Sequence, residues 1–158
     1  MQVTHQPQAL HVVGVALRTH NGDAFETIPP HWAAFSQAQL AARLPHRLSD
    51  DVYAVYTNFE NAGIDNSGFY TLVIGHAVPG QWAELPPEGL THVVAPASLR
   101  AVFPVEQGRF DLVGAAWSAI WQRTDLKKTT LADYERYQPD GGIHIHIGVL
   151  GSTHDRKD

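Results

Sequence analysis

Three residues in the C-terminal part of the chain are of types and spacing that could do chemistry. Glu135 lies in a strand-like run, and His144 and His146 lie in the run that follows it. Alternate residues of a strand share a face, so the two imidazoles would lie about 6–7 Å apart on one side of a sheet. With Glu135 from a neighbouring strand, they would form a two-histidine, one-carboxylate metal site with open positions. Alternatively, the histidines are hydrogen-bonding pocket residues or lie on a solvated face of the sheet.

Glu135 is also a candidate for binding a cation directly, without a metal. Alternation along its strand places it on the same face as Tyr137. If that face lines a pocket, burial raises the pKa of the Glu135 carboxyl group, and an incoming cation restores its charged form. The alternative is an ordinary exposed glutamate on a strand.

Four aromatic residues could complete such a cation site, namely Tyr56, Tyr137, Trp117 and Trp121. The face of an aromatic ring within about 6 Å of a cation contributes on the order of 0.5–2 kcal/mol. The two tryptophans lie four positions apart among apolar residues, a pattern that also predicts ordinary packing of a helix on a sheet. The two tyrosines occupy equivalent places in two similar segments, so they are the stronger candidates.

The composition narrows the class of function. The chain of 158 residues has 16 acidic and 11 basic residues, a formal net charge of −5, and no cluster of Lys and Arg. We therefore expect no direct binding to nucleic acid. The chain has no cysteine, which excludes a thiolate nucleophile, a disulfide framework and cysteine-ligated zinc. It also has no Gly-x-Ser-x-Gly motif and no glycine-rich phosphate loop, and we expect no cofactor.

No segment has the pattern of a targeting or membrane-spanning sequence. The first residues, MQVTHQP, carry neither a basic stretch nor an apolar run, and no later run reaches about 18 apolar residues. The sequence therefore predicts a cytoplasmic protein without membrane contact.

The elements that must position these residues form two similar series. In the first, apolar patterns predict a strand at 10–17, a helix at 30–44, and an antiparallel hairpin of strands at 52–59 and 68–78. The segment 79–89, with three prolines and two glycines, indicates a connection.

The second series has the same order as the first. It comprises a predicted strand at 99–105, a helix at 110–122, and strands at 132–138 and 142–150. When the two series are aligned, Trp32 matches Trp117 and Tyr56 matches Tyr137. The chain therefore contains an internal duplication.

This duplication predicts an α+β fold with pseudo-two-fold symmetry. Each strand-helix-strand-strand unit, at about 10–78 and 91–150, would bury one sheet face under its helix. The antiparallel sheets would then form a central groove backed by two helices. We expect a single domain over residues 1–150 and a flexible tail at 151–158, which has no apolar anchor.

The succession of segments resembles a known family. It reads VYAVYTNFENAG, GFYTLVIGHAV, LPPEGLTHVVAPASLRAVFPVEQG, the Trp-bearing AAWSAIW and ADYERYQPDGGIHIHIGV, over about residues 10–150. In this order the segments resemble the gyrase-inhibitor-like (GyrI-like) effector-binding domain, which is best known as the ligand-binding half of AraC-type regulators. The resemblance is greatest to its stand-alone, integron-associated branch.

The resemblance implies a central pocket for amphipathic, often cationic, small molecules. In the family's pattern, a buried acidic residue lies in a Phe/Tyr-Glu-x-Tyr run, and this role falls on Glu135. The closing strand of the family carries a tyrosine where this chain has His146. We therefore expect His146 to line the pocket and to modify its polarity.

These observations predict a stand-alone small-molecule-binding protein, a sensor or sequestering domain for amphipathic, cationic or aromatic ligands. A protein partner or a homodimer is compatible with this prediction. The alternatives are a hydrolase that acts on reactive small molecules through Glu135, a metal enzyme, and an inhibitor of a protein target. The expected ligand-binding residues are Glu135, Tyr137, Tyr56, His146, Trp117 and Trp121.

Overall fold

The computed structural model describes residues 1–151, so all but the first residue of the predicted tail at 151–158 lies outside the described residues. The strands are β1 (Gln2–Gln6), β2 (Leu10–His20), β3 (Val52–Thr57), β4 (Phe69–Ala77), β5 (Thr91–Ala95), β6 (Ser98–Val105), β7 (Ala132–Tyr137) and β8 (Ile143–Val149). The helices are α1 (Ala24–Ala38), α2 (Leu40–Arg43), α3 (Gly80–Ala83) and α4 (Val113–Trp121), and a 3₁₀ turn at Phe110–Leu112 precedes α4.

All eight strands belong to one antiparallel sheet, in the order β1-β6-β8-β7-β3-β4-β2-β5. The predicted α+β fold is confirmed. The two half-sheets are joined at the centre by hydrogen bonding between β3 and β7, so the two halves share one continuous sheet.

The strand order is symmetric about this central pair. Exchanging β1 with β5, β2 with β6, β3 with β7 and β4 with β8 reproduces the order in reverse. In the central ladder Ala54 lies directly opposite Glu135, and Tyr56 and Tyr137 each lie two residues after a member of that pair. A two-fold axis through the Ala54–Glu135 pair therefore relates Tyr56 to Tyr137.

The halves exchange their edge strands, which the sequence analysis did not predict. β1 precedes the first half but pairs with β6 of the second, whereas β5 precedes β6 but pairs with β2 of the first. Both strands are five residues long. Four residues of β1 are exposed, and β5 has the sequence THVVA, so neither sequence alternates strictly between apolar and polar residues. Their conformation is determined by pairing with distant strands rather than by local propensity.

Helix α1 differs from the predicted helix at 30–44. It begins at Ala24 and ends at Ala38, with Pro29 and Pro30 inside it rather than in its first turn. The backbone carbonyl of Asp23 accepts hydrogen bonds from the N–H groups of Glu26 and Thr27 and so forms a turn before the prolines. The sequence rule for proline in a first turn therefore located the start of the helix too late.

The two faces of the sheet are both covered. Helices α1 and α4 pack on one face, against apolar residues that include Ile74, Ala101 and Ile145. On the opposite face β5 packs across β3 and β7 over a second core, which contains Val55, Val73 and Tyr134. Alternation along β7 therefore directs Glu135 towards the helices and Tyr134 towards the second core.

Candidate ligand-binding cavity

A cavity of about 950 Å³ lies between the helices and the central strands. Its walls come from α1 and the loop before it, from α4 and the 3₁₀ turn before it, and from β3, β4 and β7. Most of its lining residues are apolar or aromatic, as is usual for small-molecule sites. The residues that line it include Phe25, Ile28, Trp32, Tyr56, Phe59, Tyr70, Phe110, Val113, Trp117, Trp121, Asp133, Glu135 and Tyr137.

The carboxyl group of Glu135 lies at the floor of this cavity and is 2% exposed. Its Oε2 accepts hydrogen bonds from the Tyr56 hydroxyl and from Trp117 Nε1, both at 2.7 Å. Its Oε1 accepts a hydrogen bond from the Tyr137 hydroxyl at 2.5 Å. Strands β3 and β7 and helix α4 thus all hold the same carboxylate.

Two opposing effects set the protonation of Glu135. Burial raises the pKa of its carboxyl group, and the hydrogen bonds from Tyr137, Tyr56 and Trp117 oppose this increase. Burial exceeds the hydrogen bonds, so the net shift of the pKa is upward. Burial and the neighbouring carboxylate also raise the pKa values of Tyr56 and Tyr137, so both tyrosines stay neutral donors. Glu135 is therefore a buried acid bound by neutral groups alone.

The aromatic walls follow the pseudo-two-fold symmetry. Trp117 packs edge-on against Tyr56 and Trp32 packs edge-on against Tyr137, each with ring centroids 5.1 Å apart. The symmetry fails at the axis, where Glu135 lies opposite Ala54. The side chain of Ala54 is small and leaves room for the carboxylate of Glu135. The cavity floor therefore contains one acid between two tyrosines.

A second buried carboxylate, which the sequence analysis did not single out, belongs to the same cavity. Asp133 is 8% exposed, and its Oδ1 accepts a hydrogen bond from the backbone N–H of Gly148 at 2.8 Å. Burial raises the pKa of Asp133 to about 6. Strand alternation places Asp133 on the same face as Glu135, so the sequence pattern could have identified Asp133 as a cavity residue. Trp32 was recognised only as the counterpart of Trp117.

Five of the six predicted ligand-binding residues line this cavity, and His146 does not. Tyr56, Tyr137, Trp117, Trp121 and Glu135 converge on it, although Trp121 is 44% exposed at the rim.

The prediction for His146 is wrong. In the ladder between β7 and β8, His146 lies opposite Tyr134, whose side chain faces away from Glu135. The imidazole stacks on the Tyr134 ring with centroids 4.5 Å apart, and burial lowers its pKa to about 4. His146 is therefore a neutral, half-buried residue on the opposite face of the sheet.

The hypothetical metal site of His144, His146 and Glu135 does not form, for the same reason. His144 and His146 share the face opposite Glu135, so the sheet separates the imidazoles from the carboxylate. Within residues 1–151, no group of three or more His, Cys, Asp or Glu side chains is arranged to hold a metal ion.

A comparison of the sequence with known protein families identifies the family of this chain. The sequence model of the Cass2 family, integron-associated effector-binding proteins, matches residues 6–149. The chain belongs to this family. No curated protein matches the sequence.

Solved structures of other proteins share the fold. An integron cassette protein from the mobile metagenome of Vibrio cholerae is 18% identical, with a TM-score of 0.68, and the match covers 94% of this chain and 95% of that one. The protein SAV2435, described as bound to tetraphenylphosphonium, is 15% identical, with a TM-score of 0.75 and coverage of 98% and 96%.

The same fold occurs within a longer protein. EcmrR, solved in a complex with DNA, is 13% identical with a TM-score of 0.50, and the match covers 96% of this chain but 57% of that one. At these identities the likenesses establish the fold. Among residues 1–151, no helix combines the length and apolar character needed to cross a membrane.

Proposed function

We propose that this protein binds lipophilic organic cations in the cavity, with Glu135 as the counter-ion. The observation that carries the proposal is a carboxylate, 2% exposed, at the floor of an aromatic cavity of about 950 Å³, with only neutral hydrogen-bond donors. A buried carboxylate without a cationic partner has a high desolvation cost, and a bound cation offsets that cost.

The walls of the cavity favour an organic cation over a hydrated inorganic one. Trp32, Trp117, Tyr56 and Tyr137 present aromatic rings, which attract cations and bury apolar groups. A small metal ion would need several oxygen or nitrogen ligands, whereas apolar rings provide none. The tetraphenylphosphonium bound by the structural relative SAV2435 supports the same ligand class for this chain.

Capture of such a ligand would serve sensing or sequestration. The family to which the chain belongs is described as effector-binding, and the net charge of −5 favours positively charged ligands. Within this proposal the described domain is a binding unit.

A hydrolytic activity is the second candidate, because it would use the same carboxylate. The raised pKa of Glu135 brings it closer to the range of a general base at neutral pH. A hydrolase would consume a reactive ester or other electrophile and release product, whereas a binding protein returns its ligand unchanged. Analysis of the ligand after incubation separates the two functions.

The test is a calorimetric titration at pH 8 with 10-methylacridinium, a planar aromatic cation, and with acridine, its neutral counterpart. We expect the wild type to bind the cation more tightly than the neutral ring. In Glu135→Gln, we expect the affinity for the cation to fall by roughly 10- to 100-fold, the range for a charged hydrogen-bonding partner, and the affinity for acridine to change little.

The matched control is Glu88→Gln, which neutralises an exposed glutamate outside the cavity. It should bind both compounds like the wild type. Equal loss of cation affinity in the two variants, or equal affinity of the wild type for both compounds, would contradict the proposal.

A further inference from the structure

One aromatic contact breaks the pseudo-two-fold symmetry of the cavity. Phe25 precedes Trp32 by seven residues, and Phe110 precedes Trp117 by seven residues, so the two phenylalanines are equivalent. Phe110 stacks on Tyr137, with ring centroids 5.7 Å apart and the rings inclined by 21°.

The symmetry predicts the same stack of Phe25 on Tyr56, but the structure does not have it. Phe25 lines the cavity and is nonetheless 92% exposed, and within residues 1–151 its ring stacks on no other ring. Tyr56 packs edge-on against Trp117 and at a tilt against Tyr70, but the face that corresponds to the Phe110-covered face of Tyr137 carries no stacked ring. We call it the open face of Tyr56.

The backbone around Phe25 is suited to a change of position. In a regular helix, the carbonyl groups of Phe25 and Glu26 would accept hydrogen bonds from the residues four positions later. Those residues are Pro29 and Pro30, which have no N–H group. The first turn of α1 is instead held through the carbonyl of Asp23. The first turn of α1 therefore has fewer backbone hydrogen bonds that oppose a shift carrying Phe25 with it.

We propose that the open face of Tyr56 is a binding subsite for one planar aryl ring of the ligand, over which Phe25 closes. The inference rests on the proposed function. Phe25 would bury its exposed ring against the bound aryl group, just as Phe110 covers Tyr137 in the other half. An aryl ring between two aromatic side chains gains both burial and stacking energy.

This arrangement selects a chemical class of ligand. The cationic group must lie within reach of the Glu135 oxygens, and the aryl ring must extend towards Tyr56. Phe110 already covers the equivalent face of Tyr137, so a ligand ring finds an unoccupied stacking position on the Tyr56 side. The preferred ligand is a cation with at least one flat aromatic part.

The test compares Phe25→Ala with Phe69→Ala, which removes an exposed phenylalanine outside the cavity. We expect Phe25→Ala to weaken 10-methylacridinium binding roughly tenfold, the effect of losing one aromatic stacking partner, mainly through faster dissociation in stopped-flow measurements. Phe25→Tyr should restore the wild-type affinity, and Phe69→Ala should change the affinity less than twofold. Unchanged thermal unfolding would exclude misfolding as the cause.

An affinity of Phe25→Ala equal to that of the wild type, or equal losses in the two alanine variants, would overturn the inference. Failure of the subsite is distinguishable from failure of the proposed function. If only the subsite is wrong, the wild type still binds 10-methylacridinium and still requires Glu135. If the function is wrong, Glu135→Gln binds the cation as well as the wild type does.

Discussion

Glu135 receives hydrogen bonds from side chains on three separate elements, β3, β7 and α4, and each of these bonds favours its ionised form. Burial acts in the opposite direction and exceeds them, so the pKa of Glu135 is raised. A cation that enters the cavity must therefore compete with a proton, and its binding is linked to proton release.

The two tyrosines control this competition. Replacing Tyr137 by Phe removes a donor that favours the carboxylate, so the pKa of Glu135 should rise further and binding of 10-methylacridinium should weaken about 3- to 10-fold near neutral pH. The pH at which affinity is half-maximal should move upward, as a series of titrations between pH 4 and pH 8 would reveal.

The control for this prediction is Tyr70→Phe. Tyr70 lines the cavity and packs against Tyr56, but its hydroxyl makes no hydrogen bond with Glu135. An upward shift of equal size in Tyr70→Phe would mean that the cavity lining in general, rather than the donated hydrogen bond, sets the pKa.

Asp133 makes a separate prediction about stability. Its pKa rises from 3.8 to about 6 on folding, so the folded state binds this proton more tightly than the unfolded state does. The resulting contribution to stability is present below pH 3.8 and is lost as the pH rises through about 6. Because Asp133→Asn does not titrate, its free energy of unfolding should increase relative to the wild type by up to about 3 kcal/mol between pH 4 and pH 7.

Urea unfolding of both proteins at several pH values measures this difference directly. Any constant cost of the amide substitution cancels, because only the change with pH is compared. A difference that stays flat over this range would show that Asp133 keeps an ordinary pKa in the folded protein.

The sequence alone was sufficient to predict the cavity residues whose orientation follows from alternation within one strand. Alternation placed Glu135 and Tyr137 on one face, and the duplication identified Tyr56 as the partner of Tyr137. It was not sufficient for His146, because the face of a residue in β8 relative to β7 depends on the register between the strands, which no local pattern specifies.

At the level of elements, a pair of glycines brings β2 and β4 together. Gly14 lies directly opposite Gly75 in the ladder, and a Cβ atom on either residue would overlap a backbone oxygen of the other strand, that of Ile74 or of Val13. No rotation of a side chain relieves such a contact, since both partners are backbone.

Gly14→Ala should therefore destabilise the protein by about 3 kcal/mol or more, the scale of severe overpacking in a core. The control is Gly114→Ala, in helix α4, where an added Cβ meets nothing within 4 Å. That substitution should stabilise the protein by about 0.5–1 kcal/mol through helix propensity. Equal midpoints of thermal unfolding for the two variants would contradict the close approach of the strands.

Elements with strong local patterns were predicted, and elements held by distant partners were not. The strands β3, β4, β7 and β8 have regular apolar runs bounded by turn residues, and their predicted ranges overlap the observed ones. The edge strands β1 and β5 have weaker patterns, and α3 lies in the proline-containing segment for which the sequence predicts a connection.

At the level of the whole molecule, the exchange of edge strands links the two halves. Gln6 of β1 accepts hydrogen bonds from Arg100 Nε at 2.9 Å and from the Tyr134 hydroxyl, and its Nε2 donates to the carbonyl of Ala95 in β5. Arg100 is 1% exposed, and its other hydrogen bonds go to the carbonyl groups of Ala132 and Pro96. One glutamine therefore connects both exchanged strands to a buried cation.

Gln6→Ala should lower the free energy of unfolding by about 1–3 kcal/mol, because it leaves a donor of the buried Arg100 without its acceptor. Gln2→Ala, at an exposed position of the same strand, is the control and should change it by less than about 0.5 kcal/mol. Equal effects in urea unfolding would show that β1 contributes only its backbone pairing.

The measurement that tests the central claim most directly is the affinity for 10-methylacridinium between pH 4 and pH 8. It should be made on the wild type, on Glu135→Gln and on Asp133→Asn, because both carboxylates face the cavity. The cation itself carries a constant charge over this range. Any pH dependence therefore comes from the protein.

We expect the affinity of the wild type to rise with pH as Glu135 loses its proton, with a midpoint above 4.5, and then to level off. Asp133→Asn should keep this rise, and Glu135→Gln should bind weakly at every pH. A wild-type profile that is flat, or a rise that persists in Glu135→Gln and disappears in Asp133→Asn, would contradict the assignment of Glu135 as the counter-ion.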